Sequence, residues 1–286
     1  MSTLITTAQV TACHPSGGGR LNKADIKAAA QALLEAEQTG VQIPLLTDTY
    51  PAMNMDDAYT IQAALVQMKL SEGDKIIGWK IGLTSKAMQQ ALSIDIPDSG
   101  VLLQSMVFSN GAHIAAKRFI QPRIEAEIAL VTKAPLSGAA LTGNEILAAT
   151  DYIMPALEIL DTRIVRKNLT TGQARTVLDT ISDNAANAGI VIGTPAHDVS
   201  KVDLRWIGAI VSRNNEVEET GLGAGVLNDP LQSISWLVER LWHYGKRVEA
   251  GQVILSGSFI RPVEALHGSH IVGDFGPFGQ VDCYFA

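Results

Sequence analysis

Residues 123–131 read RIEAEIALV, and the layout of this stretch decides what must surround it. In an extended strand the side chains of residues i and i+2 share a face. Glu125 and Glu127 then emerge together, while Ile124, Ala126, Ile128 and Leu130 face the opposite way, into a core. Ile128 to Val131 is apolar throughout, which fits a strand covered on both faces. Two carboxylates side by side in such surroundings repel each other and call for a positive partner.

A second stretch, MPALEILDTR at 154–163, brings a third acid. Ala156, Glu158 and Leu160 would share one strand face, so Glu158 also projects among apolar neighbours. Three carboxylates with no His or Cys nearby form a hard oxygen donor set. Such a set suits Mg²⁺ or Mn²⁺, with water or substrate completing the octahedron. Lys80 lies inside the apolar run KIIGWKIGLTS (75–85) and reads either as an edge guard or as a buried cation needing an anionic partner. Asp98, in IDIPDSG, is held between Pro97 and Gly100, as a turn former or as an acid in a rigid place.

The strands must sit in a chain of 286 residues, 47% hydrophobic and 18% charged, with 25 Gly and a formal net charge of −7. That length buries a large core without disulfide staples. The acidic balance argues against nucleic acid as a partner, because its backbone selects basic surfaces. The two cysteines, Cys13 and Cys283, lack zinc-site spacing and fit a reducing cytoplasm. The N-terminal MSTLITTAQVTACHPSGGGR lacks the basic leader and unbroken apolar run of an export signal, and no window is long enough to span a membrane.

The expected fold class is α+β: a helical N-terminal lobe followed by a mixed β-roll or barrel-like core. Residues 1–20 read as a flexible extension, 21–73 as the helical region and 74–286 as the β-rich catalytic core. Asn22 is expected to cap a helix running to about Gln38 and closed by Gly40; Asn54 or Asp56 begins the next. Strands are expected at about 75–81, 101–108, 123–132, 155–161, 188–192, 204–213, 251–257 and 279–285. Helices interrupt them at 85–92, 143–151 and 230–244. Thr142 and Glu145 form a capping box for the second, and Pro230 and Gly245 bound the third. VSRNNEVEET reads as a hairpin turning at Asn214-Asn215.

Other motifs carry less. GLGAG (221–225) follows a hairpin and lacks the βαβ setting of a dinucleotide loop. Asp274-Phe275-Gly276 stands without other kinase motifs, and Ser256-Gly257-Ser258 has no nucleophile-elbow frame. His267 and His270 are spaced i, i+3, with Gly268 favouring a loop.

Taken together, GWKIGLTSKAMQQALSIDIPDSGVL, RFIQPRIEAEIALV and DYIMPALEILDTR resemble the hydratase branch of the fumarylacetoacetate hydrolase superfamily, over about residues 25–286. This branch holds 2-keto-4-pentenoate hydratases, 4-oxalocrotonate decarboxylases and a 2-oxohept-3-ene-1,7-dioate hydratase of homoprotocatechuate (4-hydroxyphenylacetate) meta-cleavage. LDTISDNAANAGIVIG and SGSFIRPV are most similar to the last. The resemblance implies a homo-oligomer and a divalent metal, usually Mg²⁺, on Glu125, Glu127 and Glu158. It also implies Lys80 and Asp98 as the catalytic pair acting on a small 2-oxo-alkenoate. The expected reaction ketonises a dienol and adds water at C4, giving 4-hydroxy-2-oxoheptanedioate. Arg261, rigidly placed before Pro262 in SGSFIRPV, is expected to pair with a second substrate carboxylate, worth ~1.5–3 kcal/mol, with Ser258 as a further substrate-binding position. The alternatives are decarboxylation of a 4-oxalocrotonate-type dioate, hydration of a pentadienoate, C–C hydrolysis and a non-enzymatic metal-binding protein. Hydrolysis would want a histidine near the GWKIG or carboxylate motifs, and none is there.

Overall fold

In the computed structural model, which describes residues 19–91 and 96–286, the helical lobe is built from locally capped segments. The first helix, α1 (Lys23–Thr39), starts where the Asn22 side chain accepts the N–H groups of Ala24 and Asp25 and stops at Gly40, whose φ of 70° only glycine adopts without strain. A short turn, α2 (Leu46–Thr49), leads to α3 (Met55–Ser71), opened by a reciprocal capping box between Asn54 and Asp57. The same Asp57 carboxylate accepts the backbone N–H groups of Arg20 and Leu21. Leu33 and Ala30 of α1 pack on Ala58, Ile61 and Leu65 of α3 in a core completed by Ile164 and Ile181. Residues 1–18 of the expected extension, Cys13 among them, lie outside the described residues.

The β region continues with β1 (Ile76–Gly82), α4 (Lys86–Ala91), β2 (Asp98–Leu103), β3 (Val107–Phe108), β4 (Ala112–Ile114) and β5 (Arg123–Thr132). Next come α5 (Gly143–Ala149), β6 (Thr150–Leu160), α6 (Val177–Ser182), β7 (Asn187–Ile192), β8 (Gly208–Arg213) and β9 (Glu216–Leu222). The chain ends with α7 (Pro230–His243), β10 (Val253–Leu255), β11 (Val263–Glu264), β12 (His270–Asp274) and β13 (Gln280–Phe285). One mixed sheet runs β2-β1-β10-β5-β6-β7-β3, with β11 also on β5; a second runs β4-β13-β12-β8-β9. The architecture is α+β, as the alternation of the sequence implies.

Several boundaries move for physical reasons. The Thr150 hydroxyl caps the Ile146 carbonyl, so α5 passes straight into β6 five residues before the strand expected at 155. The expected strand 101–108 is split by a 3₁₀ turn at Gln104–Met106, and 204–213 opens as another at Leu204–Trp206. His270 lies in a strand, not in the expected loop: its ring stacks on Tyr284 at 4.0 Å and bonds to Asp282 at 2.9 Å, both across the β12–β13 pair. Asn214 and Asn215 adopt the positive φ expected of the hairpin turn.

The large sheet has two apolar faces. Ile124, Ala126, Ile128 and Leu130 enter the main core beneath α5, α7 and the second sheet. On the other face Leu102 of β2 and Ile190 of β7 share a small cluster with Ala129, Ala156 and Leu255. Side chains from strands so far apart in the sheet order meet only if the sheet curls, which makes that face concave. No described helix is long and apolar enough to cross a membrane.

Candidate functional site

Glu125 and Glu127 project into the concave face, as period-two alternation requires. The antiparallel register sets Glu125 opposite Glu158, so the third acid rises from the adjacent strand on the same face. One carboxylate oxygen from each of Glu125, Glu127 and Glu158 lies within 4.8 Å of the others. Lys80 of β1 enters from the other arm of the curl, its Nζ 3.4 Å from Glu158 Oε1. Asp98 pairs across β1–β2 with Gly82. A Cβ at Gly82 would overlap Asp98 Oδ1 and come within 3.0 Å of Lys80 Nζ, so the glycine is what lets those two groups approach. Behind Asp98, Ser99 N–H donates to the Tyr59 hydroxyl at 3.3 Å, and the Arg240 guanidinium sits 3.5 Å from the Tyr59 ring centroid.

Two further groups hold the acids. Between β10 and β11 the chain leaves the edge of β5 as a strap, residues 256–262, opening a gap in the ladder opposite 125–128. The strap's Gly257 N–H donates to Glu127 Oε2 at 2.7 Å. At the start of β7, Asn187 Nδ2 donates to Glu158 Oε1 at 2.7 Å. Glu127 and Glu158 thus each have one oxygen held, while Glu127 Oε1 and Glu158 Oε2 are buried without a partner, as is Asp98 Oδ1.

Burial pushes the Glu125 carboxyl up to about 8, with the negative charges of Glu158 and Asp98 adding and Lys80 opposing. Glu127 is pushed well above the carboxylate range, by burial first and then by Glu158 and Glu125. Burial also raises Asp98 against the pull of Lys80. Burial alone would lower the Lys80 ammonium, but the charges of Glu158 and Asp98, then Glu125 and Glu127, outweigh it and keep the lysine charged. Four acids face one ammonium in a largely buried site, with two glutamate oxygens left bare. That donor set fits a hard divalent cation.

The structure therefore brings together Lys80, Asp98, Glu125, Glu127 and Glu158. It does not bring the other two expected residues to them. The Ser258 hydroxyl closes its own turn with Ile260, and the Arg261 side chain is 79% exposed and paired with Glu219 of β9 at 2.6 Å. Asn187, the Gly257 amide and the close approach at Gly82 escaped sequence reasoning. The only hint of the first is the Asn-rich DNAAN, a composition that tolerates unusual backbone but names no target. Of the histidines considered earlier, His270 is engaged with Asp282 in the second sheet, away from the carboxylates.

A scan against protein-family profiles finds no match. The chain is 46% identical over 256 residues to a 2-oxo-hept-4-ene-1,7-dioate hydratase of Escherichia coli, covering 90% of this chain and 96% of the relative. It superposes with a TM-score of 0.88 on a 4-oxalocrotonate decarboxylase from Pseudomonas putida G7, solved with magnesium and adipate. Identity there is 32%, with 93% of this chain and 99% of the other covered. At 14% identity, a fumarylacetoacetate hydrolase family protein from Yersinia pestis shares the fold, with a TM-score of 0.54 over 73% of this chain and 92% of that one.

Proposed function

The chain belongs to the hydratase and decarboxylase branch of the fumarylacetoacetate hydrolase superfamily, and from that premise we propose that it is a metal-dependent hydro-lyase of aromatic meta-cleavage. Its substrate is a 2-oxoheptene-1,7-dioate, hydrated through the dienol to 4-hydroxy-2-oxoheptanedioate, in 4-hydroxyphenylacetate breakdown. The hept-4-ene and hept-3-ene forms interconvert through that dienol: a proton leaves C3 and one arrives at C5. Water can then add at C4 of the conjugated enone. The observation that carries this reading is the joint placement of Lys80 and Asp98 opposite three clustered glutamates, two of which, Glu127 and Glu158, keep a bare oxygen.

Glu125, Glu127 and Glu158 would hold the cation, Mg²⁺ or Mn²⁺, which when bound supplies Lewis-acid polarisation of the 2-oxo group. Lys80, kept charged by its acidic neighbours, faces the negative charge that develops as the enolate forms. Asp98 moves the protons: its burial-raised carboxyl is a better base than a solvated aspartate, and its unpartnered Oδ1 is free to take a proton. Asp98→Asn should lower turnover by about 10²–10⁴-fold while leaving substrate-analogue binding; full turnover would remove Asp98 from the mechanism. On the strap, Ser258 would reach the substrate on releasing its hydroxyl from Ile260, and Arg261 would read the C7 carboxylate on exchanging Glu219 for it. Arg261→Ala should then weaken a dioate more than a mono-acid, and equal loss for both would exclude that role.

The solved decarboxylase relative supports a second reading, loss of carbon dioxide from a 4-oxalocrotonate-type dioate at the same site. A panel of heptenedioate, pentadienoate and oxalocrotonate, with and without chelator, separates the two. Hydration consumes the enone absorbance without releasing carbon dioxide, and release would favour the decarboxylase. In this reading residues 74–286 carry the catalysis, since every site residue falls there, and 21–73 buttress them. The exposed Trp206, Ile210, Val217 and Leu222 along the outer sheet support a homo-oligomer, measurable by light scattering on a sizing column. The free, buried thiol of Cys283 suits a reducing cytoplasm.

A further inference from the structure

Asn187 reaches Glu158 by a costly route. Just before it, Asn184, Ala185 and Ala186 have φ values of 51°, 52° and 59°, three successive non-glycine residues in the left-handed region. Each costs about 1–2 kcal/mol, so such a run persists only where the surroundings fix it. The fixation is visible. The Asn184 side chain accepts from Val101 N–H at 2.8 Å and donates to the Val101 carbonyl at 2.9 Å, in the manner of an extra strand residue on β2. The buried Arg163 donates to the Asp183 carboxylate and carbonyl and, at 3.2 Å, to the Asn187 carbonyl. The β6–β7 pairing shifts register between Ile159 and Leu160, which sets Asn187 opposite Leu160 and aims its amide at Glu158.

The orientation of that amide follows from chemistry. An ionised carboxylate only accepts hydrogen bonds, so Nδ2 faces Glu158 and Oδ1 turns away. There Oδ1 is buried with no donor. An unmatched buried acceptor costs about 1–3 kcal/mol, a further cost that the packing around Asn187 has to offset to keep Nδ2 on Glu158. The Asn187–Glu158 bond also leaves Glu158 Oε2 as the bare oxygen within the carboxylate cluster.

We propose that Asn187 is a positioning residue for the cation site: its amide locks the Glu158 carboxylate in the orientation that completes the donor set with Glu125 and Glu127. The proposal rests on reading those three acids as cation ligands and adds the device that orients one of them. Partners of this kind, removed, weaken metal affinity by about 10–100-fold.

The test is Mn²⁺ binding to the full-length protein, followed by the electron spin resonance of free Mn²⁺, which needs no turnover. Asn187→Ala and Asn187→Ser should each raise the Mn²⁺ dissociation constant by about 10–100-fold, with the melting temperature of the metal-free protein little changed. In a Glu158→Gln background the same substitutions should change the constant less than about 2-fold, while in a Glu125→Gln background the loss should persist. Unchanged affinity, or an equal loss in the Glu158→Gln background, overturns the positioning role and leaves the cation reading standing. A wild type that does not bind Mn²⁺ overturns both. Should neither variant fold, the Asn187 side-chain amide signals of the wild type, observed by nuclear magnetic resonance, should shift and exchange more slowly on adding Mg²⁺. Unmoved signals would then reject the proposal.

Discussion

Lys80 and Gly82 sit two positions apart on β1 and so face the same way, towards Asp98. Gly82→Ala places a methyl where Asp98 Oδ1 stands. A displacement of about 1 Å at reacting groups costs about 10²-fold, so turnover should fall by that order while circular dichroism reports an intact fold. Glu127→Gln addresses the cation instead. At 100 times its dissociation constant a bound cation stabilises the folded state by about 2.7 kcal/mol. That increment, read from urea melts with and without Mg²⁺, should be lost in the variant. Residues of this kind were legible because period two fixes a shared face: RIEAEIALV displays Glu125 and Glu127 together in any strand. Arg261 was legible only as a rigid arginine. Which way it points depends on Glu219, forty-two positions away, and no local pattern encodes that.

Helix ends were the best-read elements, because a cap is a contact between neighbours in sequence. Asn22, Gly40, Asn54 and the Thr142–Glu145 box each lie within one segment, while Asp57, the partner of Asn54, was not foreseen. Asp57 does more than its capping box, since it also anchors the backbone at Arg20 and Leu21. Asp57→Ala should cost about 1–2 kcal/mol in urea melts at pH 7. Burial raises the Asp57 carboxyl, but the N–H groups of Leu21, Arg20 and Asn54 outweigh it and hold the group below its ordinary 3.8. The contribution is therefore complete above pH ~4 and fades as pH falls through the lower folded value, so the gap between wild type and Asp57→Ala should narrow at pH 3. By contrast, β12 was unreadable: its Gly-rich flanks resemble a loop, and its strand state comes from pairing with β8 and β13.

Across the whole molecule, a buried ion pair helps join the helical core to the sheet core, beside contacts such as Gln62 to the Ser99 carbonyl. Arg163 follows β6, pairs with Asp183 after α6, and feels the charge of Glu37 on α1. Removing one partner strands the other, so Arg163→Ala should lower stability by about 3–5 kcal/mol. The double variant with Asp183→Asn should cost less than the two single losses together, as measured in a urea cycle. The strap over β5 has the opposite character. Ser256 N–H to the Ile128 carbonyl, Ile128 N–H to the Ser256 hydroxyl, Phe259 N–H to Ala126 and the Gly257 link to Glu127 tie it across the ladder gap. Freeing these bonds, the Ser233 hydroxyl's bond to the Ser256 carbonyl and the buried Phe259 and Ile260 side chains takes less free energy than global unfolding, so the strap should open ahead of the sheet. The Gly257 amide proton, shielded by a carboxylate rather than by a strand partner, becomes a clock for that release. Its deuterium exchange rate times how often the lid over Glu127 lifts, molecule by molecule, with no substrate present.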